Sequence, residues 1–284
     1  MSQVETQMNE DGILALNLIQ QQLKQAGYSR QIIPGNGATV MGNYAGPAVR
    51  GCDGGFTDAT IAGAFGSLAC KTGSGSDAIA IRYEATTDNT MPSTDSAPLA
   101  TNCVGTGIAA VAPSQVAPPT TPAAGNYTLA DNRYSVTDAS TQPMLSCRGS
   151  EKSSATANTI GTSQPLLANV EEMQILYGVA NRPSAELAAS YDPMRHQIVG
   201  YLTASEVGNL TSSGVLPDLT EDQWGRVLSV RVCLLMRSDQ PVKDAPAGGT
   251  SYKNCSNVDV TSSDGYLRRA YITTVLLRNR LIIQ

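Results

Sequence analysis

The sequence predicts an α+β fold in which an N-terminal amphipathic helix packs on antiparallel β-sheet. Three observations predict it. Helix-period patterning is confined to the first 27 residues; the later apolar segments alternate with period two and are rich in β-branched residues; and no repeat of 20–50 residues appears. The 284 residues are 41 % apolar, enough for a sizeable core. Only 15 % are charged, and Gly, Ala, Ser and Thr fill the difference, a mix that suits an exported β-rich protein better than a cytosolic enzyme. We expect one unit over 1–284, with a helix at 3–27 and a β-rich head at 28–284.

The helix comes first. Met8, Ala15, Ile19, Leu23 and Ala26 fall on one stripe, while Gln20, Gln21, Lys24 and Gln25 lie mostly elsewhere on the wheel. Gly27 is a natural stop, because glycine enters the left-handed conformation cheaply. From Gln31 to Cys70 the chain reads as irregular, with turn signals such as Cys52-Asp53-Gly54-Gly55. Asp77 to Glu84 reads as a strand with Ile79, Ile81 and Tyr83 on one face. Thr86 to Gly125 is poor in large apolar residues and reads as a surface excursion tied down at Cys103.

Further strands are expected at Tyr127–Val136 and, briefly, at Met144–Cys147, followed by a Ser/Thr-rich connection over Ser150–Gln164. Val170–Val179 is a clearer strand, with Met173, Ile175 and Tyr177 turned inward. Asn181–Asp222 mixes turns with a short helix near Ser205–Leu210. Arg226–Arg237 is the strongest strand: Leu228, Val230, Val232, Leu234 and Met236 share a face opposite Cys233. Tyr266–Ile283 reads as a last long strand, with Ala270, Ile272, Thr274 and Leu276 alternating with Tyr271, Thr273, Val275 and Leu277.

The six cysteines, Cys52, Cys70, Cys103, Cys147, Cys233 and Cys255, form no Cys-x-x-Cys pair, which argues against a zinc ribbon or a thioredoxin-type site. An even, widely spread set fits three disulfides in an oxidising compartment. Six cysteines allow fifteen connectivities and the sequence does not choose among them. Pairing each with its neighbour in the chain gives Cys52–Cys70, Cys103–Cys147 and Cys233–Cys255. The cysteines imply export, yet no signal peptide and no apolar run of about 20 residues is visible. The two agree if this sequence begins after its targeting segment.

Catalytic chemistry finds little support. The one histidine, His196, stands in a turn-like stretch with no Gly-x-Ser-x-Gly elbow elsewhere. Gly105-Thr106-Gly107-Ile108-Ala109-Ala110 matches a loose dinucleotide pattern but follows a loop instead of a strand. Asp53 with Asp58, and Asp259 with Asp264, lack the ligand spacing of a calcium loop and read as turn formers. Glu171 and Glu172 point to opposite faces of a strand, so they cannot flank one bond. The net charge of −5 without a basic stripe argues against a nucleic-acid partner. No cofactor and no enzyme activity are expected.

Four stretches together resemble the PilW family of type IV pilus minor pilins. They are Gln7–Gly12 leading to Gln25-Ala26-Gly27-Tyr28, the run Val170–Val179, Trp224 through Val227 and Ser229–Leu235 to Arg237-Ser238, and Leu267-Arg268-Arg269 followed by Thr273-Thr274-Val275 and Leu277–Leu281. The resemblance implies a non-enzymatic subunit whose hydrophobic N-terminal helix, absent from this sequence, anchors it in the inner membrane and later packs in the filament core. Residues 3–27 would then be the C-terminal half of that spine helix, and Glu5 is not the family's glutamate near the cleavage site. It implies a role in priming pilus assembly, with other minor pilins and a tip adhesin as partners, first at the inner membrane and periplasm and then in the extracellular pilus. Candidate contacts are the exposed side of helix 3–26 and the loops around Cys103 and Cys255. The inserts Thr86–Gly125 and Arg182–Gly200 depart from the family. Related J-type pseudopilins of type II secretion, or an exported glycan-binding module exploiting the eleven tyrosines, are the competing readings.

Overall fold

A computed structural model describes residues 2–32, 41–44, 46–63, 65–73, 75–111, 126–137, 142–181, 196–211, 223–242, 246 and 248–280. The opening helix, α1 (Ser2–Gln25), is followed by Gly27 at φ +74°. That conformation ends the helix and turns the Gly27 N–H onto the Arg82 carbonyl at 2.8 Å, while the Tyr28 carbonyl accepts from Glu84 N at 2.7 Å. The helix exit is thereby stitched to a strand instead of being left to water.

Two antiparallel sheets follow. The first contains β3 (Val49–Cys52), β4 (Ala78–Glu84), β5 (Leu129–Thr137), β6 (Met144–Lys152) and β7 (Asn158–Ile160) in that order, with β8 (Gln164–Ala168) also pairing β6. The second contains β9 (Val170–Val179), β10 (Gly200–Leu202), β11 (Val227–Arg237) and β14 (Arg268–Leu276), ordered β10-β9-β11-β14. Two small ribbons complete the described strands, β1 (Gln31–Ile32) with β2 (Met41–Gly42) and β12 (Thr250–Lys253) with β13 (Asp259–Ser262). The helical turn α2 (Ala204–Gly208) is closed by a capping box in which Thr203 and Glu206 bond each other's backbone N–H groups.

One core joins α1 to both sheets. It takes Met8, Ala15, Ile19, Leu23 and Ala26 from the helix, Ile79, Ile81, Tyr83, Tyr134 and Leu145 from the first sheet, and Met173, Ile175, Tyr177, Val230, Val232, Leu234 and Val275 from the second. The α+β architecture, helix on antiparallel sheet, is thus present. A smaller cluster of Cys52, Phe56, Phe65, Leu68, Ala78 and Ala80 lies on the reverse side of β4. Every residue of β4 is therefore buried.

Several boundaries differ from expectation. The stretch 31–70 contains β3 and the apolar lid Phe56–Leu68; Arg50 and Gly51 interrupt the alternation of β3, so its pattern is unreadable. β6 runs on to Lys152, and β7 sits inside the expected 150–164 connection, since pairing with β5 and β6 outweighs the polar composition. The last strand stops at Leu276 and is followed by a 3-10 turn, Arg278–Arg280. There Asn279 turns back to donate to the carbonyls of Lys24 and Ala26. In the excursion 86–125, Ala100, Thr101, Asn102, Ile108 and Ala109 are buried, so its described part is more than surface decoration. Residues 112–125 and 182–195, and hence much of both inserts, lie outside the described residues, as does the end of the expected last strand at 281–283.

Candidate functional surface

The helix is gripped along both flanks. On one side Asn9 Oδ1 accepts from Arg269 Nη1 at 2.7 Å and from the Tyr271 hydroxyl at 2.5 Å. Gln20 donates to Thr273 Oγ1 on the same side. Gly12 is required there: a Cβ would stand 2.7 Å from the Tyr271 ring. On the other side Gln22 Oε1 accepts from the Tyr83 hydroxyl at 3.2 Å and from Asn132 Nδ2 at 2.9 Å. Burial pushes that tyrosine up to about 12, so it stays a neutral donor. The stripe residues Ala15, Ile19, Leu23 and Ala26 are fully buried and Met8 nearly so. What the helix leaves outside is Ile13, 57 % exposed, and Leu14, 48 % exposed.

Three disulfides tie down the head. Cys52–Cys70 closes the lid beside β3, Cys103–Cys147 joins the excursion to β6, and Cys233–Cys255 joins β11 to the turn of the β12–β13 ribbon. Beneath the lid, Asp131 accepts from Arg82 Nε and Nη2 at 3.0 and 2.8 Å, and from Arg133 Nε and Nη2 at 2.9 Å each. Burial alone would raise this carboxyl, but the two guanidiniums hold it below the usual carboxylate range. Both arginines reach onward to the lid, Arg82 to the Gly63 carbonyl and Arg133 to the Ala59 carbonyl at 2.8 Å. Arg82 also stacks 4.0 Å over the Phe65 ring. The network holds the lid in place.

A second acidic junction links both sheets to α2. Asp53 accepts from Ala204 N and Ser205 N, both at 3.0 Å. Asp77 accepts from Gly54 N at 3.3 Å and Ile175 N at 2.7 Å. Burial, reinforced by the nearby charges of Asp53 and Glu172, pushes Asp77 up to about 7 against its two N–H donors. The junction borders a groove of about 1180 Å³ across the outer face of the second sheet, shared with Leu176, Arg231, Leu235 and Ile272.

No catalytic constellation assembles among the described residues. They contain no cluster of three His, Cys, Asp or Glu side chains able to hold a metal. Asp53 caps α2, Asp58 folds onto Thr60, and Asp264 pairs Arg268 at 2.5 Å. Asp259 meets Lys253 at 3.0 Å. Glu171 pairs Arg268 at 2.6 Å and Glu172 accepts from Gln174. Contrary to expectation the two do not point to opposite faces. The register shift between Leu235–Glu172 and Met236–Val170 leaves Glu171 as a bulged residue, and both carboxylates border the outer groove. The glycine pattern at 105–110 is a turn in which Asn102 Oδ1 accepts from Val104 N and Thr106 N, with no strand ahead of it. Sequence reasoning missed the exposed Ile13-Leu14 pair, although an apolar doublet off the main stripe was its signal. It also missed Arg82, Asp131 and Arg133, whose pairing depends on strand register.

The family model described as type IV pilus-assembly protein W, PilW, matches residues 133–279, just over half of the 284-residue chain. The chain belongs to the PilW family. The matched span starts inside β5 and takes in the whole second sheet with the strand that carries α1. A type IV-like pilin from Thermus thermophilus is similar in structure, at 12 % identity and a TM-score of 0.41, over 95 % of this chain and 96 % of that one. No curated protein sequence matches. Among the described residues no helix is long and apolar enough to cross a membrane.

Proposed function

We propose that this PilW-family protein is a minor pilin that primes and builds into the type IV pilus, in a tip complex with other minor pilins and a tip adhesin. The observation that carries this is α1. It is bonded to the sheet along both flanks, yet keeps two large apolar side chains in solvent at Ile13 and Leu14. Singly exposed apolar residues are ordinary, but a doublet on a helix already docked to its own head suits a second helix. In this reading α1 continues upstream into a membrane-spanning segment. That segment holds the subunit in the inner membrane before assembly and packs among neighbouring helices afterwards. The head, 28–284 as one unit, then presents its loops around Cys103 and Cys255 to the next subunit. Its work is done by surfaces, without a cofactor.

The test is genetic and structural together. Deleting the gene should abolish or sharply reduce surface pili and twitching. Restoring the full-length gene with Ile13→Glu and Leu14→Glu should leave folded protein at normal levels but fail to restore pili. Normal piliation in the deletion strain sinks the assembly role. Full rescue by the double variant removes the helix face from it.

A further inference from the structure

β14 is an edge strand of the second sheet. It pairs β11 over nine residues without a register shift, from Arg268 opposite Arg237 to Leu276 opposite Ser229, and no other described strand pairs it. The opposite edge of that sheet, β10, is three residues long. Edge strands are normally blunted by brevity, proline, a bulge or inward charge, because their outward N–H and C=O groups template further pairing. β14 contains no proline and no bulge.

Apolar side chains rim this edge on both faces. On the outer face Ile272 is 59 % exposed and Leu276 44 % exposed. On the inner face Ile13 overhangs it: Ile13 is one turn beyond Asn9 and two turns before Gln20, the two residues that bond β14. A strand added here would cover all three.

The charge of the segment selects the strand. Residues 268–280 hold four arginines and no carboxylate, in a chain whose net charge is −5. Arg268 is neutralised by Glu171 and Asp264. Arg269 and Arg278 are exposed, and neither has a carboxylate partner among the described residues. Arg269 lies near the start of the strand and Arg278 in the 3-10 turn just beyond its end. A second copy would bring cations to cations. We propose that β14 is a docking edge for an extended segment of a different protein, added as a fifth strand of this sheet, apolar at its centre and acidic at both ends. Backbone pairing supplies the grip and the two end charges select the partner. The argument stands on the edge itself and does not depend on the pilus reading.

The probes are two eleven-residue peptides with the same alternating Val-Thr centre, one ending in Glu-Asp at both termini and one in Lys-Lys. With the whole protein, the acidic-ended peptide should bind, more weakly at high salt, and should slow amide exchange within 268–276. Arg269→Glu with Arg278→Glu, both exposed, should weaken it roughly three- to tenfold, as two surface ion pairs allow. The same double variant should shift preference to the Lys-ended peptide. Failure of both peptides to bind at millimolar concentration, equal binding of the two, or protection falling outside β14 overturns the proposal. So does self-association through β14 in sedimentation without peptide, which would make the occupant a second copy.

Discussion

At the scale of single residues, the decisive groups are buried carboxyls in opposite circumstances. Asp77 has a folded value of about 7, against about 3.9 in an unfolded chain. The folded state therefore binds the extra proton between those values. Asp77's contribution to stability is complete below about pH 4 and is lost as pH rises through 7. Melting temperature should fall between pH 5 and pH 8, and Asp77→Asn, which keeps an acceptor for Ile175 N, should flatten that slope. A slope unchanged in the variant assigns the effect elsewhere. Asp131 is the converse case. Replacing it with Asn leaves the buried guanidiniums of Arg82 and Arg133 without their counter-charge. A loss of about 3–5 kcal/mol in urea unfolding is expected, with the lid 53–70 becoming the first segment to exchange its amides. A loss under 1 kcal/mol would mean the lid does not depend on this network.

Elements show where the sequence was readable. The stripe of α1, and the strands at Val170–Val179 and Val227–Arg237, were legible because one face is buried and the side-chain period survives. β4 was legible for a different reason: its apolar face carries large residues, even though its other face is buried too. β3 and β7 were not: Arg50 and Gly51 break the alternation of β3, which is defined by its pairing with β4, and β7 is three residues long and mostly polar, defined by its hairpin with β6. The end of β14 was overextended because Leu277 is core-facing after the strand has stopped. The helix-to-sheet joint rests on one glycine. Gly12→Ala would gain about 1 kcal/mol of helix propensity. Against this, the new methyl would stand 2.7 Å from the Tyr271 ring, and overpacking of that kind costs about 1–3 kcal/mol. The clash should win or at best tie. Urea unfolding should show no stabilisation, and the Asn9–Tyr271 contact should loosen as faster exchange in β14. A gain near 1 kcal/mol would show that the tyrosine moves aside freely.

For the whole molecule, stability hangs on how its loops are closed. The three bridges span 18, 44 and 22 residues and do not nest or overlap in sequence. Each therefore restrains a separate part of the unfolded chain. Loops of this size each contribute about 3–4 kcal/mol in the chain-entropy account, and separate loops add to roughly 10 kcal/mol. That is comparable to the entire stability of an ordinary domain, about 5–15 kcal/mol. The polar composition makes the comparison pointed. Long Gly-, Ser- and Thr-rich stretches contribute little apolar burial, so covalent closure supplies what the core does not. The head should therefore tolerate loss of one bridge and not of three. Removing Cys233–Cys255 alone by paired Ser substitution should lower the melting temperature by roughly 5–10 °C, because the ribbon it secures lies at the margin of the second sheet. Reduction of all three should leave the protein unfolded or molten at 37 °C, seen as loss of near-ultraviolet dichroism. A reduced protein that melts within a degree or two of the oxidised one would show that the core holds the head together unaided.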